Sequence, residues 1–361
     1  MTDPRFPPSP VGLKGRAHEL ATLERAIVAA APTRLALVGS GGSGKSMLAA
    51  ALGHRLRRFF RGNIHWFRIG AWDSATLFEM LALHFGTTRE RRKMAPALHR
   101  FLKEGPPRFI VLDNHEVDAA TARVLDALGG TAATFVITAR RCILAGVLVY
   151  PVTAPLVTRG KSAFPNVRRL TRILRWNPLA LDIANALVSA RLVSVAALEK
   201  ELISAGLGEV HVIEHEDDLP EVALLVRFAW KRLTPESRRV LAVLAQLEGD
   251  NADAESLGKL ARTNGNAALA APRKWHLVQE PLEGRFALHA VVRHAIRKWT
   301  TFSADRIATH YVDLLERNPA RMFLEQTHLF GAMDHAHRKG DLSSMLRIEE
   351  LLRTLAPTPP E

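Results

Sequence analysis

The chain has 361 residues, of which 47% are hydrophobic and 24% charged, with a single cysteine and a formal net charge of +13. This length allows two or three domains with a large core, and the composition is that of a globular protein. One cysteine excludes an internal disulfide and a cysteine metal cluster. The positive charge raises affinity for any polyanion without specifying one, so solvated surface, nucleotide or partner contact, and nucleic acid are all compatible with it.

No secretory signal is visible at the start of the chain, because residues 1–10 lack an apolar stretch. We expect these ten residues to be disordered. The uncharged run 142–158 is too short to span a bilayer and contains Pro151 and Pro155, which favours strand and loop. A cytoplasmic protein without membrane contact is expected.

Residues 39–46 match the phosphate-binding pattern Gly-x-x-x-x-Gly-Lys-Ser/Thr. An apolar run at 35–38 precedes the motif and helix-forming residues follow it, which is the strand–loop–helix order that a phosphate site needs. The glycines allow a tight turn with inward-facing N–H groups, Lys45 is placed to pair with β- and γ-phosphate oxygens, and Ser46 to ligate Mg²⁺. The helix start adds the positive end of its dipole. The candidate nucleotide-binding residues here are Gly39, Ser40, Gly41, Gly42, Ser43, Gly44, Lys45, Ser46 and Met47.

Strand-like and helical runs alternate over the first half of the chain. Apolar runs at 35–38, 64–69, 109–112, 135–138 and 147–150 are separated by helical patterns such as 75–85 and 118–128. This alternation predicts a parallel five-stranded sheet with helices on both faces, an α/β P-loop NTPase domain over residues 11–155.

The apolar run 109–112 ends in Asp113, the form of a Walker B element. At the carboxyl edge of the sheet Asp113 can hold the Mg²⁺ shell, although a helix cap is the alternative. Many P-loop ATPases place a second acid next, where this chain has Asn114, and an amide can orient water but cannot take its proton. Glu116 and Asp118 are nearby substitutes. Slow hydrolysis is therefore expected.

With these elements the chain resembles the STAND class of signalling NTPases, in its bacterial NB-ARC or AP-ATPase branch. Residues 13–20 are similar to a family segment that lies against adenine, in which Gly15 and Arg16 would contact nucleotide. Residues 112–114 are similar to the Leu-Asp-Asn ending of bacterial members. The run 134–140 resembles the strand that delivers a γ-phosphate-sensing arginine, here Arg140, for which a surface cation at a strand end is the alternative.

The resemblance extends to a helical subdomain at 156–218 and a winged helix at 219–300. Pro178 in the run 178–181 matches a proline that packs on adenine, but Trp176 stands where the family usually has glycine. In the winged helix, a helix start at 234–236 and a hairpin at 277–279 and 285–288 precede His289. The family's histidine at this position binds the β-phosphate of ADP in the closed state, and here Ala290 replaces the acid that follows it in the family. The alternative is that His289 is a core residue that binds no ligand.

Residues 301–361 are predicted to form helices. These helices are similar to the opening of a TPR-type array; the alternative is that they only pack on the winged helix. The function implied is an ATP/ADP-binding, Mg²⁺-dependent switch that exposes a surface for a protein partner or a second copy in the ATP state. An initiator- or loader-type AAA+ ATPase acting on DNA is the first alternative, and a nucleotide-binding scaffold without turnover is the second.

Overall fold

The computed structural model describes residues 6–10, 15–39, 43–70, 72–88, 90–153, 168–175, 177–207, 219–247 and 251–355. The chain divides into two compact units. The sheet unit holds the described residues up to 39, those from 45 to 152 and those from 304 to 355, and the second unit holds residues 43 and 44 together with those from 153 to 303. Among the described residues, no helix is long and apolar enough to cross a membrane.

A five-stranded, fully parallel sheet forms the centre of the sheet unit, in the order β2-β3-β4-β1-β5. All five predicted strands are present, and most are longer than their apolar runs. They are β1 Arg34–Val38, β2 Ile64–Arg68, β3 Arg108–His115, β4 Ala133–Ala139 and β5 Leu148–Pro151.

Helices cover both faces of this sheet, as the sequence predicts. Alternate residues of a strand point to opposite faces, so Phe109 and Val111 enter one core while Ile110 and Leu112 enter the other. The first core includes α1 Ala17–Ala30 and α2 Lys45–Leu56, and the second α3 Ser74–Phe85, α4 Met94–Glu104 and α5 Asp118–Ala127. The α/β P-loop NTPase fold class is thus confirmed.

The N-terminal segment differs from the expectation of disorder at residues 6–10. Phe6 is buried against Trp66 and His54, with ring centroids at 5.5 and 5.3 Å, and Pro7 O lies 2.7 Å from His54 Nε2. The space that Phe6 fills exists because residue 53 is glycine, whose added Cβ would lie 2.3 Å from the Phe6 ring. A single aromatic residue without neighbouring periodicity gave no signal of this contact.

Three helices from the end of the chain belong to the sheet unit: α14 Ala304–Arg317, α15 Met322–Lys339 and α16 Leu342–Leu355. The short turn Pro319–Arg321 is a 3₁₀ helix, as is Arg91–Lys93 before α4. The three helices share an apolar cluster that includes Leu315, Leu329 and Ile348. Phe330 of α15 reaches the second sheet core and packs edge-on against Trp72, with centroids 5.8 Å apart.

The second unit is mostly helical. Its first helices are α6 Arg168–Ile173, α7 Pro178–Ser189, α8 Val195–Leu202 and α9 Pro220–Trp230, with a π-helical turn at Ile203–Leu207. Helices α10 Pro235–Gln246, α11 Ala254–Ala261 and α12 Gly265–Lys274 follow. A three-stranded antiparallel sheet of order β6-β8-β7 and helix α13 Ala290–Arg297 complete the unit, with β6 Ala252–Asp253, β7 Val278–Leu282 and β8 Arg285–Leu288. The hairpin predicted from the sequence is therefore present.

Candidate functional site

The glycine motif lies between β1 and α2, in the predicted order. The Gly39 N–H donates to Ala139 O at 3.2 Å, which fixes the start of the loop beside the end of β4. Gly44 has φ of 89°, a conformation that favours glycine, and α2 begins directly after it at Lys45. Lys45 Nζ donates to Gly39 O at 2.7 Å across the loop. Ser43 is buried, whereas Ser40, Gly41 and Gly42 lie outside the described residues.

Two hydroxyl groups converge on the carboxylate of Asp113. Ser46 Oγ donates to Asp113 Oδ1 at 2.7 Å, and Thr138 Oγ1 donates to the same oxygen at 2.5 Å. Asp113 itself is only 6% exposed. Ser46 at the start of α2 and Asp113 in β3 are thus in contact, although they are far apart in sequence. Thr138 was not singled out by sequence; its signal is a hydroxyl within an otherwise apolar strand end.

A bulge at the end of β3 sets the direction of these side chains. The register of β3 against β4 shifts between Leu112 and His115, and Asn114 adopts a positive φ of 59°. Such bulges re-aim side chains and are frequent beside active sites. The Asn114 N–H donates to Thr138 Oγ1 at 2.9 Å, and its side-chain amide donates to Glu116 Oε1 at 2.6 Å.

The two carboxylates that follow Asn114 have different surroundings. His115 is buried, with Nδ1 at 2.9 Å from Thr121 Oγ1 and Nε2 at 2.8 Å from Asp118 Oδ1. Asp118, in the first turn of α5, is therefore engaged in anchoring that histidine. Glu116 is exposed and meets Asn114 instead.

The donor set fits a magnesium ion. Mg²⁺ prefers oxygen ligands and is usually held by one or two protein groups together with phosphate oxygens. The Ser46 hydroxyl and the Asp113 carboxylate supply such oxygens 2.7 Å apart, at the start of a helix and beside a lysine ammonium. These two residues would hold the ion.

The Gly-Arg segment lies before α1, where Gly15 has φ of 81°. Arg16 is 2% exposed and donates from one guanidinium nitrogen to both carboxylate oxygens of Glu19, at 2.7 and 2.8 Å. Burial, with the Glu19 charge adding to it, raises the pKa of Tyr150 on β5, while Arg16 opposes the shift. Arg16 is thus held beside the edge strand by Glu19, which belongs to the same predicted segment.

The remaining predicted residues are placed as follows. Arg140 follows β4 directly, one residue after the carbonyl that receives the Gly39 N–H, and Met47 is exposed on the first turn of α2. Pro178 and His289 belong to the second unit. Pro178 is the first residue of α7, capped by Asn177, whose side chain accepts from the Ala180 N–H at 3.1 Å. Trp176 lies outside the described residues.

His289 caps α13. Its Nδ1 accepts the Val291 N–H at 3.3 Å, so a neutral ring carries its proton on Nε2. Ala290 follows as the first residue of the helix.

Comparison with solved structures identifies a related fold. The chain matches a signal transduction ATPase with numerous domains (STAND) protein with a tetratricopeptide repeat sensor from Pyrococcus horikoshii, at a TM-score of 0.63 and 17% identity over 96% of this chain. The chain spans about half of that protein, 51% of its length. The chain matches no protein-family model and no curated protein sequence.

Two further matches have lower TM-scores. Cdc6p from Pyrobaculum aerophilum has a TM-score of 0.36 at 14% identity, covering 82% of this chain and 98% of that one. The Orc1 protein of Aeropyrum pernix in complex with DNA has 0.34 at 16% identity, covering 81% and 94%. Likeness at this level does not establish a common fold. The fold resemblance to a STAND ATPase, expected from the sequence, is confirmed by the first match.

Proposed function

We propose that the chain is an ATP- and ADP-binding switch with slow Mg²⁺-dependent ATP hydrolysis. The observation that carries the proposal is the contact of Ser46 with Asp113 at 2.7 Å, directly after a lysine that closes a glycine loop between β1 and α2. A lysine, the start of a helix and two oxygen groups suited to Mg²⁺ thus lie at one edge of a parallel sheet, where P-loop proteins bind nucleotide phosphates.

Each predicted residue takes a defined role in this proposal. The N–H groups of residues 39–47 would bind the phosphates, and Lys45 would exchange its Gly39 carbonyl for phosphate oxygens. Ser46 and Asp113 would hold Mg²⁺, which neutralises charge on the β- and γ-phosphates when bound. Arg140 would sense the γ-phosphate, because its pairing energy depends on that charge. Gly15 and Arg16 would contact the nucleoside, as would Pro178.

His289 would distinguish the ADP state. A neutral ring whose Nδ1 accepts the Val291 N–H carries its proton on Nε2, and this N–H would donate to a β-phosphate. A ligand shifts a conformational equilibrium only by its differential affinity for the two states. A contact made with ADP alone supplies such a difference, and its release would expose the surface that binds a protein partner or a second copy.

Nucleotide extracted from the natively purified chain tests the binding proposal directly. We expect mass analysis to find ADP, and titration to show binding of both ADP and ATP. Lys45→Ala should abolish ATP binding, whereas Lys200→Ala, which removes an exposed lysine of α8, should leave it unchanged. Absence of ADP and ATP binding by the wild-type chain would refute the proposal.

The switch role has its own test. A hydrogen bond to a charged group contributes about 1.5–3 kcal/mol, so His289→Ala should weaken ADP binding about 10- to 100-fold. ATP affinity should change much less, and His337→Ala on the exposed end of α15 should change neither. Equal losses for the two nucleotides would remove His289 from the switch. Light scattering with ADP and with a non-hydrolysable ATP analogue would detect assembly in the ATP state.

A DNA-acting ATPase is the second candidate, favoured by the helices and hairpin of residues 235–288 and by the charge of +13. The surface is mixed. The exposed residues of α12, where a winged helix would read bases, are Asn266, Ala267 and Ala270 together with the basic Arg273 and Lys274, and the hairpin tip presents Glu283. DNA affinity that falls steeply with salt would support this candidate, since each phosphate contact adds to the slope.

The third candidate, a scaffold without turnover, is favoured by the amide at Asn114. Single-turnover ATP hydrolysis separates it from the first. A wild-type rate no faster than that of Lys45→Ala would favour the scaffold, and a clearly faster rate would favour the switch.

A further inference from the structure

We propose that Glu116 is the carboxylate that accepts the proton of the attacking water, and that Asn114 positions it. This inference rests on the proposed ATP hydrolysis and adds a catalytic residue to it. The sequence offers two carboxylates near the end of β3, and the structure separates them. Asp118 lies 2.8 Å from His115 Nε2 and anchors this buried ring. Glu116 is exposed, and Asn114 Nδ2 donates to its Oε1 at 2.6 Å.

A continuous line of hydrogen bonds joins Glu116 to the proposed magnesium ligands. Ser46 and Thr138 donate to Asp113 Oδ1, the Asn114 N–H donates to Thr138 Oγ1, and the Asn114 amide donates to Glu116. Each distance in this line lies between 2.5 and 2.9 Å. The bulge and the positive φ of Asn114 direct its side chain to residue 116, two positions further along the chain.

Asn114 cannot perform the proton transfer itself. Its amide nitrogen has no free lone pair for a proton and donates to a carboxylate, whereas a carboxylate within reach of water can act as a general base. Among the described residues, the Glu116 side chain makes its polar contact with Asn114, which orients one carboxylate oxygen of an exposed residue. An ion pair with a surface cation would have explained Glu116 as a stabilising residue. The partner of Glu116 is instead the neutral amide of Asn114.

The step balances with water and ATP alone. A water oxygen forms a bond to the γ-phosphorus while the bond from that phosphorus to the β–γ bridging oxygen breaks, and the electron pair leaves with ADP. The water proton passes to Glu116, which later releases it to solvent. Lys45 and Arg140 would offset the charge on the phosphate oxygens during the transfer.

Single-turnover hydrolysis by Glu116→Gln tests the inference, with ATP affinity measured on the same samples. A general base contributes about 10²- to 10⁴-fold, so we expect the rate to fall at least about 100-fold while ATP affinity stays within about threefold. Glu104→Gln, at the exposed end of α4, is the matched control and should keep the wild-type rate.

An exchange of the two side chains provides a rescue. In Asn114→Asp combined with Glu116→Gln, the hydrogen bond is retained with donor and acceptor reversed, and aspartate tolerates a positive φ better than most residues. The carboxylate then directly follows Asp113, so we expect hydrolysis at least about tenfold faster than in Glu116→Gln alone. Asn114→Ala should be slower than wild type, because it releases Glu116.

The outcomes distinguish the inference from the function on which it rests. A wild-type chain that does not bind ATP refutes the proposed function. A chain that hydrolyses ATP equally well with Glu116→Gln keeps that function and overturns the role of Glu116. A faster rate in Asn114→Ala also overturns the inference, because Asn114 would then withhold the carboxylate from the site.

Discussion

Substitution of Thr138 by valine probes the junction between β3 and β4. Thr138 is 1% exposed, and its hydroxyl both donates to Asp113 Oδ1 at 2.5 Å and accepts the Asn114 N–H at 2.9 Å. Valine has nearly the same shape, so the packing of β4 is kept while both hydrogen bonds are lost. The effect therefore reports on the hydrogen bonds rather than on a cavity.

The magnitude follows from the two partners. A hydrogen bond to a charged group contributes about 1.5–3 kcal/mol, and one between neutral groups about 0.5–1.5 kcal/mol. Thr138→Val should therefore lower the free energy of unfolding of the sheet unit by about 2–4 kcal/mol. Because Asp113 would lose one of its two hydroxyl partners, its carboxylate should also be less well oriented, and hydrolysis should slow.

Denaturant unfolding and amide exchange of the peptide covering residues 108–115 measure this loss. Thr134→Val is the matched control, since Thr134 lies on the same strand and is fully buried, but its hydroxyl accepts only a long contact from the Thr33 N–H at 3.4 Å. We expect the control to cost less than about 1 kcal/mol. Equal losses from the two substitutions would refute the special role of Thr138.

Two further predictions concern stability away from the site. Gly53→Ala should destabilise the chain despite the better helix propensity of alanine, because the added Cβ would lie 2.3 Å from the Phe6 ring. In a Phe6→Ala background the same change should cost less, because the closest remaining contact is the Phe109 ring at 3.1 Å, and urea unfolding of the four variants measures this coupling. Burial raises the pKa of Glu221, so its ionised form penalises the folded state at pH values above the unfolded pKa. Glu221→Gln should therefore raise the free energy of unfolding by on the order of 1 kcal/mol near about pH 7 and leave it unchanged near about pH 4. The control Glu283→Gln, at an exposed position, should leave the free energy of unfolding unchanged at both pH values. Equal unfolding midpoints of Glu221→Gln and wild type near neutral pH would contradict this prediction.

Although the edge strand β5 is mostly exposed, strands β1 to β4 are buried on both faces, and this made the fold largely predictable. Such strands appear as short apolar runs, and the run 109–112 forms the middle of the longer strand β3. The ends of the strands were less predictable. The polar residues of β3 beyond Leu112 extend the strand through a bulge, and no apolar pattern marks a bulge.

The candidate site was predictable where motif residues act through fixed spacing. Ser46 and Asp113 meet as the motif implies, and Lys45 closes the glycine loop at Gly39. Thr138 was missed because its role depends on the pairing of β3 with β4, which motif spacing does not encode. The difference between Glu116 and Asp118 likewise depends on which one meets the buried His115.

The proposed switch requires more than one nucleotide-sensing contact. Moving a two-state equilibrium from 1% to 99% takes a difference of about 5.5 kcal/mol in binding free energy. One charge-assisted hydrogen bond supplies about 1.5–3 kcal/mol, so neither Arg140 alone nor His289 alone could convert the population from one state to the other. The two must act on opposite states, Arg140 favouring ATP and His289 favouring ADP, for their contributions to add. Arg140→Ala should therefore weaken ATP preference without affecting ADP retention, the reverse of His289→Ala, and the double variant should bind both nucleotides without changing its assembly state. Nucleotide-dependent assembly in the double variant would place the discriminating contacts elsewhere in the chain.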